Sequence, residues 1–128
     1  MNFRTKLWDS LGIESKVLDK NSVVLTMPVD ERTHQPAGYL HGGTSVLLAE
    51  TAASIGSALN VDLNTTSIFG MEINANHIKS KKEGIVTATA TPVHIGKRTM
   101  VWEIKITDEK EALISLSRCT VGVVEKRK

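Results

Sequence analysis

Hydrophobic and polar positions along the chain change period several times, and each change marks an element. Phe3, Leu7, Trp8 and Leu11 recur at helical spacing and Gly12 offers a stop, which predicts a short amphipathic helix over residues 3–11. Residues 14–19 and 22–28 read as two strands around the polar turn Asp19, Lys20 and Asn21. Val23, Val24, Leu25 and Met27 carry the apolar and β-branched content of a strand. Residues 29–43 lose that order, and Pro36, Gly38, Gly42 and Gly43 predict a loop with particular backbone demands. Residues 44–60 are rich in Ala, Leu and Ser and apolar nearly all round. They predict one long helix, buried on most sides.

The second half alternates. Val86, Ala88 and Ala90 are interleaved with Thr87, Thr89 and Thr91, and Met100, Trp102, Ile104 and Ile106 recur at every second position. Strands are predicted over 68–79, 84–94, 99–107 and 112–124, with a polar hairpin at Asp108–Glu111 joining the last two. Connections this short require antiparallel pairing. A sheet of that kind can bury one face against the long helix, which makes an α+β domain.

Composition narrows the picture. The 128 residues fit a single domain, 1–128, long enough to bury a core without disulfide or metal staples. Apolar residues at 41% exclude a disordered chain, and only five residues are aromatic, so the core must rest on aliphatic and small side chains. A net charge of +2 is too mild to indicate a nucleic-acid partner. The single cysteine, Cys119, excludes an intramolecular disulfide and a cysteine-only zinc site. The first twenty residues carry scattered charges, and no window approaches the roughly 18 apolar residues of a membrane span. The expectation is a cytoplasmic protein with no membrane partner.

Glu50 is the one charged residue in 44–60. Its helical neighbours Val46, Leu47, Ala53 and Ser54 offer no cation. A carboxylate so placed is costly and its pKa is pushed up, unless it lies at an exposed edge or meets a partner distant in sequence. His41, Gly42 and Gly43 stand directly before the helix, where unpaired backbone N–H groups and the helix dipole can hold an anion or a developing oxyanion. A tight loop would also use such glycines. Together with a lone carboxylate two turns along, they suggest acyl transfer. Other chemistries lack their signatures. The histidines at 34, 41, 77 and 94 have no zinc-helix pairing, no G-x-S-x-G elbow is present, and no Gly-Lys-Ser/Thr follows the glycines. Cys119, mid-strand among apolar residues, reads as a structural thiol.

Residues 34–43 (HQPAGYLHGG) with 45–50 (SVLLAE) resemble the hotdog-fold thioesterases, in the branch of the Arthrobacter-type 4-hydroxybenzoyl-CoA and 1,4-dihydroxy-2-naphthoyl-CoA thioesterases. Residues 70–77, 92–98 and 101–108 resemble the same branch. The resemblance implies an antiparallel sheet wrapped around the central helix, and hydrolysis of an acyl-CoA without metal or separate cofactor. It implies Glu50 as nucleophile or general base, and Gly42 as the backbone N–H donor to the thioester carbonyl. Gln35 would position that carbonyl or the attacking group, His41 would sit near the sulfur, and Ser54 would hold the water or the carboxylate. For the CoA phosphates it implies His77, Lys79, Gly96, Lys97 and Arg98, across a subunit boundary. Lys97 stands where some relatives carry a small hydroxyl residue.

The resemblance further implies a homo-oligomer, at least a dimer and preferably a dimer of dimers. It favours aromatic acyl groups, with the dihydroxynaphthoyl group of menaquinone synthesis as one named case. Two other functions fit the same fold. One is a thioesterase acting on carrier-protein-bound acyl groups, in proofreading. The other is a non-enzymatic acyl-CoA sensor, against which the joint presence of Glu50, Gln35 and His41 argues.

Overall fold

The fold follows from where the small residues fall. A computed structural model describes residues 2–127. The elements run α1 (Lys6–Leu11), β1 (Glu14–Asp19), β2 (Ser22–Val29), α2 (Gly42–Ala58), β3 (Thr66–His77), β4 (Gly84–Ile95), β5 (Thr99–Thr107) and β6 (Leu113–Glu125). The six strands form one sheet in the order β1-β2-β4-β5-β6-β3, every neighbouring pair antiparallel. Helix α2 carries the chain from β2 to the far edge at β3, packing on one face of the sheet as it crosses. This is the hotdog arrangement, a helix wrapped by a curved sheet.

The predicted strands are present, with ends shifted by a residue or two. Strand β2 alternates half-buried and buried residues throughout, and β5 buries Met100, Trp102, Ile104 and Ile106. Those side chains meet Leu48, Ala49, Ala52, Ala53 and Gly56 of α2, all fully or nearly fully buried. Small helix residues allow a large ring to lie against the helix backbone. A Cβ on Gly56 would come within 2.8 Å of Trp102 ring carbons. The indole N–H of Trp102 donates to Ser57 Oγ at 2.8 Å, and Ser57 Oγ donates to the Ala53 carbonyl at 2.9 Å. The buried indole is thus satisfied inside the core, as a buried donor requires.

Both helices differ from expectation at their starts. Helix α1 begins at Lys6, leaving Phe3 ahead of it, and ends on Gly12 in the left-handed conformation, φ 75°. Arg4 fastens this corner by donating to Asp9 (2.7 Å), Glu14 (3.1 Å) and the Ile13 carbonyl (3.2 Å). Helix α2 begins at Gly42, two residues earlier than predicted, because His41 caps it. Its sheet-facing side is buried. The opposite flank is not, for Val46, Leu47, Thr51 and Ser54 are half-exposed and Glu50 is exposed. The expectation of a helix buried on most sides therefore fails for the single chain, where the sheet covers only one side.

Candidate active site

The start of α2 is built from its cap. His41 Nδ1 accepts the Gly43 N–H at 2.8 Å. The His41 carbonyl accepts from the backbone N–H of Thr44 (3.0 Å) and of Ser45 (3.3 Å). A helix start leaves four N–H groups without intrahelical partners. Among the described residues, only that of Gly42 remains without an acceptor. It is a fixed donor at the positive end of a 17-residue helix. Because Nδ1 accepts, the neutral ring of His41 carries its proton on Nε2, and the exposed side chain presents an N–H outward.

The loop before the helix is tied down by Thr33, whose buried hydroxyl donates to the Pro28 carbonyl (2.9 Å) and whose carbonyl accepts the His41 N–H (2.8 Å). Gln35 sits in a tight turn. Its N–H donates to Tyr39 O, and its carbonyl accepts from Gly38, which adopts φ 87°. The Gln35 Oε1 accepts from the Ala37 N–H, so the amide NH2 is left to donate outward. Gln35, Gly42, Ser45, His77 and Lys79 line one cavity of about 430 Å³. The His77 ring lies against Gly42, where an added Cβ would meet Nε2 at 2.9 Å.

Glu50 lines a different cavity. With Gly43, Leu47, Thr51 and Ser54 it lines a cavity of about 710 Å³ whose remaining walls are apolar. Phe3, Leu7 and Trp8 from the N-terminal segment, and Ile68 from β3, close that cavity opposite α2. The 29–43 loop does not reach it, apart from Gly43. Among the described residues the Glu50 carboxylate has no hydrogen bond and no ion pair. Exposure relieves the burial cost expected from the helix sequence. Beneath it, Cys119 is fully buried, and burial, with the charges of Glu50 and Glu72, pushes its thiol up to about 11. Such a thiol stays protonated near neutral pH.

Gly96, Lys97 and Arg98 lie elsewhere again, at the β4–β5 turn, in a groove of about 1060 Å³ that also exposes Phe69 and Met71. The turn is tight, with the Gly96 N–H donating to the Thr99 carbonyl at 2.9 Å. Lys97 and Arg98 are exposed and make no ion pair among the described residues. The lysines of the β3–β4 connection differ from one another. Lys81 pairs with Glu109 at 2.6 Å, Lys82 lies 5.2 Å from the Tyr39 ring centre, and Lys79, 60% exposed, is 4.0 Å from Asp108.

The single chain thus gathers the sequence-derived residues into three groups rather than one. Gln35, Gly42, His77 and Lys79 share a cavity, Glu50 and Ser54 share another, and Gly96 to Arg98 form a third. Sequence reasoning missed the N-terminal wall of the Glu50 cavity and the closeness of Gly70 to Glu50. The three atoms nearest to a Cβ built on Gly70 all belong to Glu50.

The cap-fixed N–H donor and the free carboxylate stand on one helix, and comparison with known proteins identifies the family. The model of the family described as "Thioesterase superfamily" matches residues 37–115. The 1,4-dihydroxy-2-naphthoyl-CoA hydrolase of Listeria monocytogenes is 56% identical over 122 residues, covering 95% of this chain and 98% of that protein. The enzyme of the same name from Escherichia coli K12 is 43% identical, covering 89% and 83%. Among solved structures, a mutant of thioesterase PA1618 from Pseudomonas aeruginosa superposes with a TM-score of 0.91 at 42% identity, covering 94% of this chain and 86% of that one. Thioesterase HI1161 from Haemophilus influenzae gives 0.88, also at 42% identity, covering 93% and 82%. The chain belongs to the thioesterase superfamily, with the hotdog fold, and is a thioester hydrolase. No helix among the described residues is long and apolar enough to cross a membrane.

Proposed function

We propose that the protein hydrolyses an aromatic acyl-CoA, with 1,4-dihydroxy-2-naphthoyl-CoA as the leading substrate, at a site assembled from two copies of the chain. The observation that carries this reading is the placement of Gly42 and Glu50. They are eight positions apart on α2, about 12 Å along the axis, and line different cavities. A thioester carbonyl needs its oxygen at the N–H donor and its carbon within roughly 3–3.5 Å of the attacking group. One chain does not offer both. A two-fold partner brings the Gln35, His41 and Gly42 group of one copy to the Glu50 and Ser54 group of the other. Strand β3 is an open sheet edge exposing Phe69 and Met71, and it supplies the surface for such a pairing. A dimer is the minimum, and a dimer of dimers is the assembly the family resemblance implies. Sedimentation of a stable, active monomer contradicts both.

The chemistry then follows from the groups. The Gly42 N–H and the Gln35 amide hold the carbonyl oxygen and stabilise the negative charge it gains. Glu50 either takes a proton from water, whose oxygen adds to the carbonyl carbon, or adds itself to give an anhydride that water then cleaves. In both routes the C–S bond breaks and the thiolate leaves, with the His41 Nε2–H directed at sulfur. The products are the carboxylate and free CoA. The apolar cavity behind Glu50 takes the acyl group, and Ser54 and Thr51 supply hydroxyls on its rim. Two further features support CoA rather than a carrier protein. They are Lys97 and Arg98, exposed and without an ion pair among the described residues, and the largely exposed Lys79, cations that suit separated phosphate groups.

The test is free-thiol release from a panel of acyl-CoA thioesters, with the preferred acyl group also presented on a carrier protein. The dihydroxynaphthoyl or another aromatic thioester is expected to lead, with CoA preferred over the carrier. Glu50→Gln is expected to lower the rate about 10²–10⁴-fold. Its unfolding midpoint should barely move, since Glu50 is exposed and has no ion pair among the described residues. Near wild-type turnover in Glu50→Gln would remove the catalytic assignment. Absence of turnover on every thioester would leave the sensor.

A further inference from the structure

We infer that Gly70 is a positioning residue for Glu50: its bare backbone is the seat of the Glu50 carboxylate, and a side chain there displaces it. The inference rests on the catalytic reading of Glu50 and extends it to a residue with no chemistry of its own. Strands β3 and β6 pair Gly70 with Val121 and Ile73 with Cys119. Val121 and Cys119 are buried against the helix, so Gly70 and Ile73 share their inward face. Inward positions on a regular strand are an even number apart, and these two are three apart. The register shift between Gly70 and Glu72 accounts for the extra residue, Met71, which is 57% exposed. A bulge of this kind re-aims the chain locally. Gly70 is the last residue in register before it and faces α2 where Glu50 comes down, and Glu50, Gly70, Met71, Glu72 and Ile73 enclose a small cleft of about 200 Å³.

The contact is close and specific. A Cβ on Gly70 would lie 2.9 Å from Glu50 Oε2, 3.5 Å from its Cδ and 3.9 Å from its Cγ. The backbone does not itself demand glycine. The positive-φ glycines of the described residues are Gly12, Gly38 and Gly84, and Gly70 is not among them. In an ordinary strand conformation alanine is preferred to glycine. What an added methyl meets is the free end of a flexible side chain, and that end yields. The fold is kept and the carboxylate moves, which distinguishes this glycine from Gly56, where an added methyl meets the buried ring of Trp102.

The experiment measures kcat, KM and unfolding midpoints for the wild type, Gly70→Ala, Glu50→Gln and the double variant on the same acyl-CoA. Gly70→Ala is expected to lower kcat about 10–100-fold, since an ångström-scale misplacement costs about that much. KM should stay within about twofold and the midpoint should not fall. In the Glu50→Gln background the same change is expected to alter the residual rate less than about twofold, because the displaced charge is already gone. Gly70→Ala at wild-type kcat overturns the inference, as does an equal loss in both backgrounds. A lowered midpoint or a failure to fold also overturns it, because Gly70 is then structural. Glu50→Gln at wild-type kcat overturns instead the reading on which the inference rests.

Discussion

At the scale of single residues, the account turns on which polar groups are satisfied and which are left open. His41 uses its ring nitrogen and carbonyl to satisfy three N–H groups, which isolates the Gly42 donor. Gln35 spends its carbonyl oxygen on Ala37 and keeps its amide hydrogens free. Glu109 is the opposite case, a carboxylate wholly engaged. The Lys81 ammonium, then the Ile85 N–H, hold its carboxyl down to about 2, from an ordinary value of 4.5. A carboxylate depressed on folding adds stability above its unfolded pKa, and that stability is lost as pH falls through the folded value. Glu109→Gln is therefore expected to lower the urea midpoint at pH 6.5, with the difference from wild type shrinking between about pH 4.5 and 2. The Glu109 carboxylate is half-exposed, so the effect is small. An equal difference at pH 6.5 and pH 2 would contradict the assignment.

At the scale of elements, α2 is pressed to the sheet by small residues, and its tolerance of added volume is low. Gly56→Ala shows how the balance falls. Alanine is the better helix former by about 1 kcal/mol. Its methyl must, however, enter space held by Trp102, which is fully buried and tied to Ser57. Overpacking of this kind costs about 1–3 kcal/mol, so a net loss of stability is expected. Denaturant titration giving a midpoint equal to or above wild type would show that the ring can move. The same elements show what the sequence made readable. The alternation of Met100, Trp102, Ile104 and Ile106 identified β5 and its buried face, and the apolar run after residue 43 identified α2. Its first turn reads as loop in the sequence because Gly42 and Gly43 are weak helix formers, and only the His41 cap places them inside it. The bulge at Met71 had no local signal beyond a glycine in a strand, because a bulge is defined by the register of β6.

At the scale of the whole molecule, Gln35 and Gly42 line one cavity and Glu50 and Ser54 another, two half-sites in the proposed assembly. The residues of the proposed site could be picked out in the sequence: Gln35, His41, Gly42 and Glu50 stand in two short motifs, and Ser54 lies one turn beyond the second. Their division into two groups could not, because it depends on which side of α2 the sheet covers and on how far the helix carries them apart. Nor could the wall of the Glu50 cavity, where Phe3, Leu7 and Trp8 arrive from the other end of the chain. The two half-sites make a quantitative expectation for mixed assemblies. Gln35→Ala lacks a carbonyl donor, a loss that typically costs about 10²–10³ in kcat, and Glu50→Gln lacks the acid–base group. Each homo-oligomer should be nearly inactive. Differently tagged Gln35→Ala and Glu50→Gln chains, refolded together from denaturant, should form mixed dimers in which one of two sites has every group intact. With random pairing, activity should recover to about one quarter of wild type, as two-fold symmetry requires. Activity no higher than the average of the two separate variants would contradict an active site built from two copies.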